Sequence, residues 1–223
     1  AYPTTIAAMT GGLGQASTTF LQQRESVMRT FSTYLFAETA SWKQRRVWMK
    51  MITNGFDMDS GIDAWQTRTE MGGNPHGRTL KGKWMTLPNG ETFSLEAYRR
   101  EQVAGTAWMA RQVPTMVEFI RAGRARGSYR WQRADLTTKS YLLQEAEAAS
   151  REAKMAWCNS NDVTVMSQQH DGILVATHPS MSWEDMARGM SRASTRQCGF
   201  DVTVEAKEVA ASTMMREAQA YLD

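Results

Sequence analysis

Val163-Thr164-Val165-Met166-Ser167-Gln168-Gln169-His170-Asp171-Gly172-Ile173-Leu174-Val175-Ala176 is the stretch on which the fold turns. Its two ends are β-branched and apolar, and its middle is polar with one glycine, so it reads as a β-hairpin. The turn carries an imidazole and a carboxylate at its tip, on a surface loop rather than in the core. An aspartate on a rigid hairpin suits a hard divalent cation held against a phosphate. Taken alone, the turn fits better an ordinary surface loop in which Asp171 is incidental. What surrounds it changes that balance.

Downstream, Ser182 after Pro179 is placed to cap a helix, and Trp183, Met186, Ala187, Met190 and Ala193 mark one face of it. Gly199 stops this helix, and Phe200-Asp201-Val202-Thr203-Val204-Glu205 alternates as a strand before a terminal helix. Upstream, Arg45-Arg46-Val47-Trp48-Met49-Lys50-Met51-Ile52-Thr53-Asn54-Gly55-Phe56 reads as a helix that ends by Thr53. Arg46 and Lys50 are four apart, so both project from one face of it.

The downstream order resembles the motif C region of family A DNA polymerases, the DNA polymerase I-like group, where a Q-V-H-D-E turn precedes a helix and a final strand. Gln169-His170-Asp171 matches that turn, and Gly172 stands where the DNA polymerases of the family carry Glu. Single-subunit RNA polymerases of the T7 type have H-D-S there. The upstream helix is similar to motif B, the fingers helix with the pattern R-x3-K-x3-F/Y-G. Asn54 replaces the aromatic, Phe56 follows two residues on, and Met58 stands where Tyr is usual. Glu38-Thr39-Ala40-Ser41-Trp42 resembles the segment leading into this helix in bacterial members. Leu142-Leu143-Gln144-Glu145-Ala146 resembles the Q-G-T-A segment, although Leu136 and Ser140 replace the Arg and Asn that precede it in many members. Two short motifs in the family's order and at its spacing are far more specific than either alone. The resemblance covers roughly residues 36 to 210, with only general similarity between the two motifs.

This resemblance implies template-directed nucleotidyl transfer with Mg2+. Asp171 would be a catalytic metal ligand and His170 would lie beside the primer terminus. Arg46, Lys50 and Asn54 would meet the triphosphate of an incoming dNTP, and Gln144 and Gln169 would contact the DNA primer-template. Arg121, Arg124, Arg126, Arg130 and Arg133, with Tyr129 and Trp131 between them, form a basic stretch able to neutralise phosphates and stack on bases. The same stretch also fits a solvated helix end and loop. In the family this region belongs to the fingers, near the template.

Phosphoryl transfer of this kind uses two divalent ions, and one hairpin aspartate does not hold both. In the family the second carboxylate comes from motif A, a D-Y-S-Q-I-E strand expected at or before Ala1. Nothing from Ala1 to Phe36 resembles it, and Asp57, Asp59 and Asp63 fall after the fingers helix, in the wrong place to substitute. The expected function is therefore that of a C-terminal polymerase part complemented by a second polypeptide carrying motif A and the thumb. The alternative is a catalytically degenerate, polymerase-like subunit for nucleic-acid binding or assembly. A T7-type RNA polymerase fragment is the lesser alternative.

Composition allows this. With 223 residues, 42% of them hydrophobic, the chain can bury one large or two small cores. The net charge is only +3, so local clusters matter more than the total. Cys158 and Cys198 lack metal-ligand spacing and are expected reduced and buried, as in an intracellular protein. His76 and His178 have no ligand-spaced partners and read as surface residues. No apolar run approaches a membrane span, and no signal peptide is visible. Sixteen Met and eight Trp are many, which suits irregular cores.

The fold class expected is α+β, a partial polymerase palm with a small antiparallel sheet beside helical fingers. Residues 1–17 read as an N-terminal arm open to binding by a partner; 18–135 as a fingers-like helical region with motif B; and 136–223 as a palm-like region with the motif C hairpin. Within these, helices are expected over Thr18 to about Ala40, Ser60–Glu70, Leu95–Arg126 with a bend at Pro114, and Thr138–Trp157. A hairpin is expected over Leu80–Phe93 around Pro88-Asn89-Gly90.

Overall fold

Apolar residues recur at helical spacing from Phe20 to Leu35, and they form two helices, α1 (Gln15–Gln22) and α2 (Arg24–Leu35). The computed structural model describes residues 14–36, 40–68, 71, 77–125, 133–168 and 172–207, with 124 and 125 described in backbone only. The architecture is mixed α and β, mainly helical, with two small antiparallel hairpins. The chain divides into two compact units, Ala1–Leu143 and Gln144–Asp223. Among the described residues no helix is long and apolar enough to cross a membrane.

In the first unit, the single helix expected over 18–40 is broken at Gln23, which leaves the helical region at φ −125°, ψ 29°. Helix α1 also begins earlier than expected, inside the segment read as an arm. The cause lies far along the chain. Glu101 accepts hydrogen bonds from the backbone amides of Ala16 (3.1 Å) and Ser17 (2.7 Å), satisfying donors that a helix start leaves open.

Helix α3 (Trp42–Asp57) follows, ending four residues beyond the expected Thr53, and a 3-10 turn (Ala64–Thr67) replaces the helix expected over Ser60–Glu70. The hairpin around Asn89-Gly90 forms as read, with β1 (Met85–Thr86) antiparallel to β2 (Thr92–Phe93) and Met85 opposite Phe93. Gly90 takes φ +87°, a conformation that side chains bearing a Cβ resist. Helix α4 (Leu95–Gln112) starts at Ser94, whose hydroxyl accepts from Ala97 N at 3.3 Å. The bend expected at Pro114 is a full break. Val113 leaves helical geometry (φ −130°, ψ 58°), and Pro114 opens a separate helix α5 (Pro114–Ala125). Proline crowds the residue before it out of helical geometry but fits the first position of a new helix.

The core of this unit is aromatic. Phe20 stacks on Tyr98 with ring centroids 4.4 Å apart, Phe31 meets Phe93 edge-on, and Phe36 lies against Trp48 and Trp65. Met28 and Met49 are fully buried among these rings, so part of the methionine excess is core filling. Helix α6 (Ala134–Ser160) runs through the division between the units.

The second unit contains the rest of α6, then β3 (Val165–Gln168) antiparallel to β4 (Ile173–Val175), then α7 (Trp183–Cys198). The register shifts between Val165 and Ser167, so Met166 is a bulge residue, and its side chain is 62% exposed. Cys158, Val163, Met186 and Met190 form the core here. A Cβ on Gly189 would lie 2.2 Å from the Trp157 ring, so only glycine lets α7 approach that indole. Ser182 caps α7 and Gly199 ends it in left-handed conformation, both as read.

One strand expectation is corrected. Residues 201–207 carry no regular strand. Val202 N donates to Thr195 Oγ1 (3.0 Å) and Val204 N to Ser191 Oγ (2.9 Å), so hydroxyls one turn apart on α7 take the place of a ladder partner. The alternation that looked like a strand records which residues face the helix. Both cysteines are free, but only Cys158 is buried; Cys198 is half-buried. Burial raises both thiols above their ordinary range.

A cation-bearing helix and the join of the second hairpin

Helix α3 begins with a capping box. Ser41 Oγ accepts from Gln44 N at 3.3 Å, and Gln44 Oε1 accepts from Ser41 N at 3.0 Å. Met49, Ile52, Thr53, Phe56 and Asp57 are its buried residues. Arg46 and Lys50 fall along one border of that stripe and are half-buried; Asn54, one turn further, is exposed. The structure thus brings together on one helix the three residues expected at the triphosphate.

Arg46 is not free. Its Nε lies 3.0 Å from both carboxylate oxygens of Glu25 on α2, and its Nη2 pairs with Oε1. The hydrogen bond from Arg46 holds the Glu25 carboxyl below its usual range, with Arg24 and Arg29 adding attraction. One turn away, the Arg29 guanidinium lies over the Trp42 ring at 4.2 Å from its centroid. The Lys50 ammonium group has no hydrogen-bond or ion-pair partner among the described residues. A small depression lined by Met51, Gly55, Phe56 and Trp65 among others lies on the opposite border of the stripe, away from the cations.

The far end of α3 is built differently. Lys139 on α6 is 2% exposed and its Nζ donates to the backbone carbonyl of Asp57 at 2.6 Å. A cation at a helix C-terminus satisfies an orphan carbonyl and complements the dipole. The Asp57 carboxyl is itself buried, its Oδ1 finds no partner among the described residues, and desolvation raises it to about 6 despite Lys139. Burial likewise pushes the Lys139 amine down. Next, Asp59 takes a left-handed φ of 58° and is bracketed by Arg99 (2.8 Å) and Arg133. Asp63 accepts from Leu80 N at 2.8 Å and from Thr79 Oγ1. Asp59 and Asp63 are therefore engaged within the fold, whereas the Asp57 carboxyl is buried.

In the second unit, Gln168 of β3 pairs with Ile173 of β4. Gln169, His170 and Asp171 themselves lie outside the described residues. Gln144 is exposed on α6. Of the basic stretch, Arg121 is exposed on α5, Arg124 belongs to the last turn of α5 with only its backbone described, and Arg126 and Arg130 lie outside. Arg133 is committed to Asp59 and Asp135, and its guanidinium is held firmly protonated by them. Among the described residues no group of three or more His, Cys, Asp or Glu is placed to hold a metal ion.

Against family models, curated proteins and solved structures the chain gives no match. Sequence reading missed Glu25, Arg29 and Lys139. Glu25 and Arg29 are four apart on α2, the same spacing as Trp42 and Arg46, which is the one signal that a second helix answers the first.

Proposed function

We propose that this chain is a palm-and-fingers part of a family A DNA polymerase, carrying motifs B and C, with motif A and the thumb lying outside these 223 residues. The observation that carries the reading is the build of α3. Its start is fixed by a capping box, its apolar side is buried, and Arg46 and Lys50 stand one turn apart at the border of the buried stripe. Two cations so spaced match the separation of phosphates along a triphosphate, and guanidinium plus ammonium is a chemically apt pair for them. The antiparallel pairing of β3 with β4, the strands on either side of Asp171 in the sequence, supports the second half of the reading.

In the proposed reaction Arg46 and Lys50 orient the triphosphate and neutralise charge that builds on the leaving pyrophosphate. Asp171 supplies one carboxylate for the metal pair, and His170 lies next to the primer end. Mg2+, when bound, activates the attacking oxygen and steadies the leaving group. The residues fit the group only in part, since one hairpin carboxylate awaits the motif A partner.

The experiment is Mg2+-dependent primer extension by the chain reconstituted with a motif A-bearing partner. Asp171→Ala is expected to abolish extension while assembly persists, and normal extension by that variant would end the proposal. A degenerate, nucleic-acid-binding or assembly subunit is the second reading, favoured by Gly172, Asn54 and Met58 at nucleotide-handling positions. It expects salt-sensitive DNA binding that is indifferent to Asp171→Ala. Incorporation of NTP in place of dNTP would point instead to the T7-type RNA polymerases.

A further inference from the structure

We infer that Glu25 is a built-in competitor for the phosphate-binding edge of Arg46, so that helix α2 tunes nucleotide affinity at α3. The inference rests on the proposed role of Arg46 and Lys50 as triphosphate ligands. Its ground is geometric. Nε of Arg46 faces both Glu25 oxygens at 3.0 Å, and Nη2 engages Oε1. That edge of the guanidinium is the one suited to receive two phosphate oxygens, and a carboxylate already occupies it.

The surroundings make Glu25 an exchangeable occupant rather than a permanent one. Both side chains are substantially open to solvent, Arg46 by 38% and Glu25 by 51%. Exposed pairs of this kind contribute little to stability and yield readily to a stronger ligand. Glu25 is a single negative charge among Arg24, Arg29 and Arg46, all of which act on it. A triphosphate brings several charges to the same cations and also reaches Lys50, which has no partner among the described residues. The Arg29–Trp42 contact one turn away keeps α2 beside α3 when Glu25 lets go. Glu25 thus lowers affinity for weaker anions and leaves multiply charged phosphates able to enter.

The test is calorimetric titration of the full chain with dATP and with inorganic tripolyphosphate, at low and moderate salt. Glu25→Gln keeps the shape and removes the competing charge. It is expected to bind both probes about two- to fivefold more tightly than the wild type, the range that an exposed pair corresponds to. The gain should shrink as salt rises and should be absent when Glu25→Gln is combined with Arg46→Ala. If Arg46→Ala weakens binding but Glu25→Gln leaves it unchanged or weaker, the competitor role is overturned and the triphosphate reading stands. If neither the wild type nor Glu25→Gln binds either probe, the triphosphate reading falls and takes this inference with it.

Discussion

The two halves of helix α3 are held by opposite kinds of interaction. At its C-terminal end Phe56 is 2% exposed, Asp57 is 8% exposed, and the contacts come from a buried lysine on α6 and two arginines that flank Asp59. At its N-terminal half the contacts are a capping serine, an exposed Arg46–Glu25 pair and a stacked arginine. Lys139 and Asp57 at the buried end are committed to the fold, because removing water from them leaves no alternative partner. The charges on the open half have only partners that water, salt or a ligand can replace. A helix that is to meet a charged ligand needs that asymmetry: one end fixed, the other able to exchange.

The sharpest way to break the comparison is at the buried end. Phe56→Ala removes a ring from the aromatic core and is expected to lower unfolding free energy by about 3–5 kcal/mol in denaturant titration. A loss below about 1 kcal/mol would mean that this end is not anchored as described.

Next in size is a pH effect. Asp57 moves from an ordinary 3.8 to about 6 on folding, chiefly by desolvation. Its folded form thus prefers the proton, so its contribution to stability is fully present below about pH 4. It is lost as pH rises through 6, and at 1.36 kcal/mol per unit the loss is roughly 3 kcal/mol. Lys139 and Arg24, the described groups that act on this carboxyl, oppose the shift without removing it. Comparing unfolding of the wild type and Asp57→Asn across pH 4–7 isolates the effect. The wild type should lose stability relative to the variant over that range, and parallel curves would show that the carboxyl is not desolvated.

How much of this asymmetry the sequence disclosed follows from how local each cause is. The Arg46–Lys50 spacing, the Asn89-Gly90 turn, the Ser182 cap and the Gly199 stop are all set within a few residues, and each was legible. Lys139 is 82 residues from Asp57, and nothing in its neighbours marks it as the lysine that is buried. The early start of α1 was hidden for the same reason, since Glu101, which fixes it, belongs to another helix. The segment after Gly199 misled differently. A two-residue alternation shows that one side is covered, but it does not say whether a strand or the hydroxyls of Ser191 and Thr195 do the covering. For the hairpin, the sequence disclosed an antiparallel pair, but the first strand runs over Val165–Gln168 rather than from Val163, and the bulge at Met166 depends on cross-strand pairing.

At the open half the expected effects are smaller and local. Ser41→Ala removes the hydroxyl that accepts from Gln44 N and breaks the capping box, which should cost about 1 kcal/mol in the same denaturant titration. Its pH profile should be flat, since no titrating group is involved. A cost as large as that of Phe56→Ala would erase the contrast between the two ends.

The smallest stability effect is expected at Arg46, and it is the most telling. Arg46→Ala deletes an ion pair whose two side chains both face solvent, so the melting temperature should hardly change. The same substitution should weaken triphosphate binding about tenfold or more, because a charge-assisted hydrogen bond to phosphate is worth about 1.5–3 kcal/mol. Thermal melts and calorimetric titration on one preparation measure both. A residue that merely braced α2 against α3 would show the reverse pattern, with a clear loss of stability and unchanged affinity. The two readouts separate a ligand-facing arginine from a structural one, because only a side chain whose protein partner is replaceable can lose so little in folding and so much in binding.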